Sequence, residues 1–129
     1  MSKIQKFEDI LAWQKARHLT GEIYAHSKTG AFAKDFGLRD QIQRASVSIM
    51  GNVAEGFDRG GDKEFIQFLS ISKGSCGEVK SHLYVALDQQ YINSTQFNEL
   101  YHSADEVGRL LAGFMAYLGQ SDLRGRKYK

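Results

Sequence analysis

Apolar residues recur at helical spacing between residues 38 and 59. The members of one face follow each other at intervals of three and four: Leu38, Ile42, Ala45, Ile49 and Val53. This is the period of one side of an α-helix. A polar stripe with the same kind of spacing runs beside it: Gln41, Arg44, Ser48, Asn52 and Glu55. Buried polar groups need hydrogen-bond partners, so the pattern predicts a packed helix with a polar edge.

The same spacing predicts four helices, over residues 9–28, 37–56, 63–90 and from Ser94 or Thr95 to near Gly119. Asp9 is the expected N-cap of the first helix, and Phe7 is expected to pack on Trp13 or Leu11. Residues 29–36 are expected to form a connection. No segment alternates with a period of two, and proline is absent, which permits long unbroken helices.

Four helices with short loops predict an all-α fold, an antiparallel up-and-down four-helix bundle. We expect residues 1–123 to form the bundle domain and residues 124–129 to form a basic C-terminal tail. Each glycine in a helix interior costs about 0.8–1 kcal/mol relative to alanine. Gly74 and Gly77 therefore predict a tight crossing of the third helix against residues 48–52 of the second, at which Gly74→Leu would destabilise the protein strongly.

Apolar residues outside the predicted core indicate self-association. Val47, Met50 and Ala54 lie on the side of the second helix opposite its core stripe, and the fourth helix is apolar nearly all round over residues 110–117. Helices that are apolar on both sides are usually buried on both sides. We therefore expect a homo-oligomer.

The charge of the chain is nearly balanced, at +2 overall, but it is unevenly distributed. Residues 1–123 hold thirteen basic and fifteen acidic groups, whereas the tail holds four basic groups and no acid: Arg124, Arg126, Lys127 and Lys129. A solubilising tail and an arm that contacts phosphates are both open interpretations. If the chain binds nucleic acid, the tail residues are the first candidates. The secondary candidates are Arg39, Arg59, Lys63 and Lys73.

Aromatic residues can stack on bases, but their spacing here favours packing. Tyr128, among the basic residues of the tail, is the one tyrosine that suits single-stranded nucleic acid. The others lie at core or rim spacing and are interpreted as packing residues: Tyr24, Tyr84, Tyr91, Tyr101 and Tyr117.

No complete catalytic constellation, cofactor motif or metal site can be assembled from the sequence. Neither Ser46, Ser48 nor the single cysteine, Cys76, has a recognisable base and orienting group. Two sets of histidines and carboxylates have helical spacing, and we interpret both as surface residues: His18, Glu22 and His26 on the first helix, and Glu78 and His82 on the third. We therefore expect a non-enzymatic protein without a cofactor.

A set of polar residues on the second and third helices has two interpretations. Its members are Arg44, Ser48, Asn52, Glu55 and Glu78. A network that fixes the register of the helices is the preferred interpretation, and a polar binding site is the alternative. One cysteine cannot form an internal disulfide, the N-terminal residues lack a signal-peptide pattern, and the longest apolar run is ten residues. These features predict a cytoplasmic protein.

Residues 37–83 carry a specific motif. Its first part is close to the pattern L-x-x-Q-x-x-R-A-x-x-S-I-x-x-N-I-A-E-G-x-x-R. The matching positions are Leu38, Gln41, Arg44, Ala45, Ser48, Ile49, Asn52, Val53, Ala54, Glu55, Gly56 and Arg59. Its second part comprises Phe68, Leu69, Ile71, Gly74, Ser75 and Glu78. In this motif the chain resembles the proteins encoded in intervening sequences of bacterial 23S ribosomal RNA genes. It departs from them at Met50, where proline is common, and at Ser72, where alanine is usual.

The resemblance implies a cytoplasmic four-helix bundle that assembles into a homopentamer, with no established enzymatic activity. It also implies similarity to the accessory variability proteins of diversity-generating retroelements, which bind nucleic acid and a reverse transcriptase. The first hypothesis is thus a homo-oligomeric accessory protein that binds RNA or DNA. The alternative is a structural or protein-interaction oligomer without nucleic-acid binding, and a metalloenzyme is a remote third.

Overall fold

The protein folds into helices throughout the part of the chain that the structure describes. This structure, a computed structural model, describes the backbone of residues 4–128 and the side chains of residues 4–120. In that range a 3-10 turn, Phe7–Asp9, precedes five α-helices, and no strand occurs. The helices are α1 (Leu11–Ser27), α2 (Gly30–Lys34), α3 (Phe36–Asp58), α4 (Asp62–Asp88) and α5 (Ser94–Tyr128). The predicted all-α class is confirmed.

The number of helices differs from the prediction because α2 occupies the expected connection. Gly30 adopts a φ of +60°, a left-handed conformation that breaks the helical path after α1. A new helical turn begins at this residue. Phe32 anchors this turn, since its side chain is buried and stacks on Tyr91 with ring centroids 5.3 Å apart. Asp35 then caps α3 by accepting a 3.1 Å hydrogen bond from the Leu38 backbone N–H.

The start of α1 also differs from the prediction. The carboxylate of Asp9 accepts hydrogen bonds from the backbone N–H groups of Gln5 and Lys6, so it closes the 3-10 turn instead of capping α1. The helix begins at Leu11. The predicted packing of Phe7 on Trp13 is confirmed, with an edge-to-face contact at 5.2 Å between ring centroids.

The predicted core stripe of α3 is buried in full, from Leu38 to Val53. The buried apolar residues of α4, from Phe65 to Ala86, and those of α5, from Phe97 to Leu118, extend this core. The helix α1 adds Ala12, Ala16, Leu19 and Ile23 to it. The helix α4 packs against α3 and α5. The helix α1 also packs against α3 and α5. No helix among the described residues combines the length and the hydropathy that a membrane crossing needs.

The close approach of α3 and α4 occurs at residues other than the predicted glycines. A Cβ atom built on Gly74 or Gly77 would meet no atom within 4 Å, so the role predicted for these two glycines in the crossing is wrong. Serines make the crossing, because Ser72 Oγ donates a 2.9 Å hydrogen bond to the carbonyl of Ile49. Among the glycines between residues 4 and 120, the tightest is Gly56, whose added Cβ would lie 2.7 Å from Phe68 Cβ.

The last helix is longer than predicted. Its expected end was near Gly119, but α5 continues to Tyr128. The division into a bundle domain over residues 1–123 and a tail over residues 124–129 stays a prediction.

Candidate functional site

Three basic side chains surround a groove between α4 and α5. The groove encloses about 300 Å³, and we call it the α4–α5 groove. Its lining residues are Lys73, Cys76, Gly77, Lys80, Asp105, Gly108, Arg109 and Ala112. Both glycines leave its floor open. A Cβ on Gly77 would meet nothing within 4 Å, and one on Gly108 would lie in ordinary contact, 3.9 Å from Cys76 Cβ.

One carboxylate organises two of these cations. Lys80 Nζ donates to Asp105 Oδ1 at 2.7 Å, and Arg109 Nε donates to Asp105 Oδ2 at 2.8 Å. The bond from Lys80, followed by the bond from Arg109, lowers the pKa of Asp105. The side chain of Arg109 is 82% exposed, so much of its guanidinium faces solvent. With Lys73 included, the groove lining holds three cations and one carboxylate, so the groove is net positive.

Aromatic rings adjoin the groove at the Lys80 end. The aromatic cluster consists of Tyr84 on α4 and Phe97 and Tyr101 on α5, with ring centroids 4.8–5.9 Å apart. Lys80 Nζ lies 5.2 Å from the centroid of the Tyr101 ring, which links the cluster to the basic groups. Tyr84 is 52% exposed. Its interpretation as a packing residue is therefore incomplete, since one side of it faces solvent.

Sequence reasoning found Lys73 but missed Lys80 and Arg109. Lys73, Lys80 and Tyr84 are spaced by seven and four residues along α4, which puts them on one helix face. That spacing was a readable signal. Arg109 belongs to another helix, so only the packing of α4 against α5 reveals that it joins them.

The other secondary candidates lie apart from the groove. Arg39 donates to the carbonyl of Ala33 at 3.1 Å and forms a 3.0 Å ion pair with Asp40, so it ties α2 to α3. Near the other end of α3, the side chain of Arg59 pairs with Glu55 at 2.8 Å and lies over the Phe68 ring. These two arginines are separated by about 30 Å of helix.

Lys63 and the tail complete the set of basic candidates. Lys63 is exposed in the first turn of α4. Arg124, Arg126 and Lys127 lie in the last turns of α5, where the structure describes the backbone and not the side chains. Lys129, like the side chain of Tyr128, lies outside the described part.

Hydrogen bonds connect only some members of the predicted polar set. Asn52 Nδ2 donates to the carbonyl and the hydroxyl of Ser48, at 2.9 and 3.0 Å. Ser75 Oγ extends this chain across the helices by donating to Ser48 Oγ at 3.0 Å. Glu55 pairs with Arg59 and not with a member of the set.

Arg44 and Glu78 line a second groove, which we call the α3–α4 groove. It encloses about 280 Å³, and Gln41, Ala45, Ser48 and His82 complete its lining. Both charged residues are exposed, and neither forms an ion pair within 4.0 Å among the described side chains. One groove thus presents opposite charges that do not neutralise each other directly.

The described residues give little support for a reactive nucleophile or a metal site. Cys76 is buried, and its burial raises the pKa of the thiol to about 11, although Lys80 and Lys73 oppose the shift. A protonated thiol is a poor nucleophile. His18 lies 3.6 Å from Glu22. No group of three or more histidine, cysteine or acidic side chains within the described range is arranged to hold a metal ion.

Comparison with known families shows which protein family the chain belongs to. The family model described as "23S rRNA-intervening sequence protein" matches residues 8–113. The chain belongs to this family. The match includes both grooves and the polar residues between α3 and α4, and it ends before the basic tail. The family membership inferred from the motif is therefore confirmed.

A solved structure of another protein shares the fold of this chain. It is a protein of unknown function from the S23 ribosomal protein family of Bacteroides thetaiotaomicron, with a TM-score of 0.74 and 22% sequence identity. The similarity covers 81% of this chain and 98% of that one. No curated protein matches the sequence. At this identity the likeness supports the helical fold alone, and it carries no indication of an enzymatic activity.

Proposed function

We propose that the protein is a non-enzymatic, cytoplasmic accessory factor that binds RNA or DNA as a homo-oligomeric helical bundle. The observation that carries this proposal is the convergence of Lys73, Lys80 and Arg109 on the α4–α5 groove. Phosphate groups dominate the affinity of proteins for nucleic acids, and lysine and arginine supply the complementary charge. Arg124, Arg126, Lys127 and Lys129 would add to this charge from the tail.

The scaffold of this proposal is an antiparallel up-and-down bundle of the four long helices. The order of contacts supports it, since Ile49 meets Ser72 and the earlier Ser48 meets the later Ser75. Between α4 and α5, Lys80 meets Asp105 while the later Tyr84 meets the earlier Tyr101. In this arrangement α2 is a short insertion in the first connection.

Self-association is the second part of the proposal, and the outer surface of α3 and α4 supports it. Val47 on α3 and Ile71 on α4 are 46% and 53% exposed. Gly51 and Gly74 leave open space on the same two helices. Arg44 and Glu78, which have no ion pair among the described side chains, give this surface both charges, which suits contact with another copy of itself. A pentamer is the number that the family resemblance implies.

Sedimentation velocity at micromolar concentration tests the assembly. We expect the native protein to sediment as an oligomer and Ile71→Asp to shift it toward the monomer, because a carboxylate would be buried without a partner. Ser70→Asp, at an exposed neighbouring position, is the matched control. A monomeric native protein would remove this part of the proposal.

Fluorescence anisotropy with labelled RNA and DNA tests the nucleic-acid role. We expect binding at low salt that weakens steeply as salt rises. A chain that lacks residues 124–129 and the double variant Lys73→Gln/Arg109→Gln should each bind more weakly. Lys15→Gln/Lys28→Gln, at exposed positions of α1 and its C-cap, removes the same charge outside the groove. Absence of binding at low salt would overturn the role.

The alternative is a structural or protein-interaction oligomer without nucleic-acid binding. The exposed apolar side chains of Val47 and Ile71 favour it, since they fit a protein partner as well as another copy. A reverse transcriptase is the kind of partner that the resemblance implies. Oligomers that bind no nucleic acid at low salt would support this alternative.

A further inference from the structure

We propose that the α4–α5 groove binds single-stranded nucleic acid, with a phosphate between Lys73, Lys80 and Arg109 and a base stacked on Tyr84. The inference rests on the proposed nucleic-acid role and deepens it by naming the substrate class and the site. It follows from the placement of an exposed aromatic ring at the end of a basic groove.

The spacing of the two features suits neighbouring parts of one strand. Tyr84 follows Lys80 by four residues, so it lies one turn along the same helix face, at a rise of about 6 Å. Lys80 contacts both ends of the site, since its Nζ bonds to Asp105 and lies over the Tyr101 ring. A strand whose phosphate meets the cations can therefore place a base over the aromatic cluster.

The ring of Tyr84 is held in place before a ligand arrives. Phe97 lies 4.8 Å from it and Tyr101 lies 5.9 Å from it, measured between ring centroids. Phe97 is itself buried. Because these contacts already restrict the ring, stacking a base on it costs less conformational entropy than ordering a free side chain.

Stacking of this kind selects single strands. In a duplex both faces of each base are covered by its neighbours, whereas an unpaired base can present a face to an aromatic side chain. The cations do not discriminate in this way, because both forms carry phosphates. Preference for a single strand should thus depend on Tyr84, while general affinity should depend on Lys73 and Arg109.

The test compares Tyr84 variants for binding to a labelled pyrimidine strand of about 12 nucleotides and to a duplex of equal length. DNA and RNA strands are measured separately, at one low salt concentration. We expect Tyr84→Leu to bind the single strand about 5- to 100-fold more weakly and the duplex equally well. Tyr84→Phe keeps the ring and should match the native protein. Tyr24→Leu, at an exposed tyrosine of α1, is the control.

The native protein supplies a second measurement that needs no variant. A strand containing 5-bromouracil, irradiated in the complex, should crosslink to Tyr84 or Tyr101, as mapped by mass spectrometry of the peptides. Crosslinks confined to other residues, or Tyr84→Leu binding the single strand as tightly as the native protein, would overturn the inference. If Lys73→Gln/Arg109→Gln still weakens binding in that case, the proposed function stands without it.

Discussion

Lys80 and Asp105, which both line the α4–α5 groove, join α4 to α5 by a 2.7 Å ion pair. Arg109 shares the same carboxylate, and Lys80 also lies over the Tyr101 ring. The pair therefore has two roles that separate experimentally. We expect it to contribute to folding and, if the proposed function holds, to set how much positive charge the groove offers to a nucleic acid.

The folding role predicts a pH dependence. The hydrogen bonds from Lys80 and Arg109 lower the pKa of Asp105 in the folded state from its ordinary 3.8. A carboxyl with a lowered folded pKa stabilises the protein fully above its unfolded pKa, and this contribution is lost as the pH falls through the folded pKa. Asp105→Asn should lower Tm at neutral pH, and the difference in Tm should shrink as the pH falls below 3.8. A difference that is constant with pH would contradict this assignment.

The ligand role predicts that the same variant binds nucleic acid more tightly. Asp105→Asn removes the one carboxylate of the groove and leaves Lys80 and Arg109 free to meet a phosphate. For single strands, each added phosphate contact should steepen the dependence of log K on log salt by about 0.7. Anisotropy titrations at several salt concentrations measure both changes. Glu106→Gln, at an exposed neighbour outside the groove lining, is the matched control, and equal effects of the two variants would count against a specific role for the groove.

Among the glycines inside α1, α3 and α4, Gly56 should tolerate substitution least. The Cβ of Gly56→Ala would lie 2.7 Å from Phe68 Cβ and 2.8 Å from Phe65 Cδ1, so α3 and α4 would have to move apart. Overpacking of this kind costs about 1–3 kcal/mol. Chemical denaturation at a fixed protein concentration measures the change. Gly21→Ala, where nothing lies within 4 Å, should instead stabilise by up to about 1 kcal/mol. Equal changes at the two positions would refute the packing argument.

Cys76 should react slowly with alkylating reagents in the native protein. Burial raises the pKa of its thiol from 9.0 to about 11, so at pH 8 the thiolate is roughly 100-fold scarcer than in the unfolded chain. Restricted access slows the reaction further. Mass spectrometry of iodoacetamide labelling, with and without denaturant, gives the two rates. Similar rates would mean that the thiol is not buried.

Periodicity predicted the core because burial on a helix face is a property of the sequence itself. Ile49 and Val53 are fully buried, as their spacing indicated. It was harder to predict what lies next to each residue outside the core. Gly74 is small, but size alone does not tell whether a helix or open space lies above it, and the structure has open space.

The candidate site was only partly accessible to sequence reasoning, for a related reason. Lys73 was selected by its charge, whereas Arg109 acquires its role through the packing of α5 beside α4. The local pattern does not predict α2, because the contact that anchors this helix, Phe32 on Tyr91, joins residues that are far apart in the sequence. Contacts of this kind between distant segments cannot be derived from local patterns.

The most direct test of the account is amide NMR of the native protein during titration with a short pyrimidine single strand. Gly77 and Gly108 line the α4–α5 groove, and their amides report on it without any substitution. We predict that these two signals shift early and in a salt-dependent way, while those of Gly21 and Gly51, on α1 and α3, stay in place. Binding that shifts Gly21 or Gly51 and leaves Gly77 and Gly108 unchanged would contradict the account.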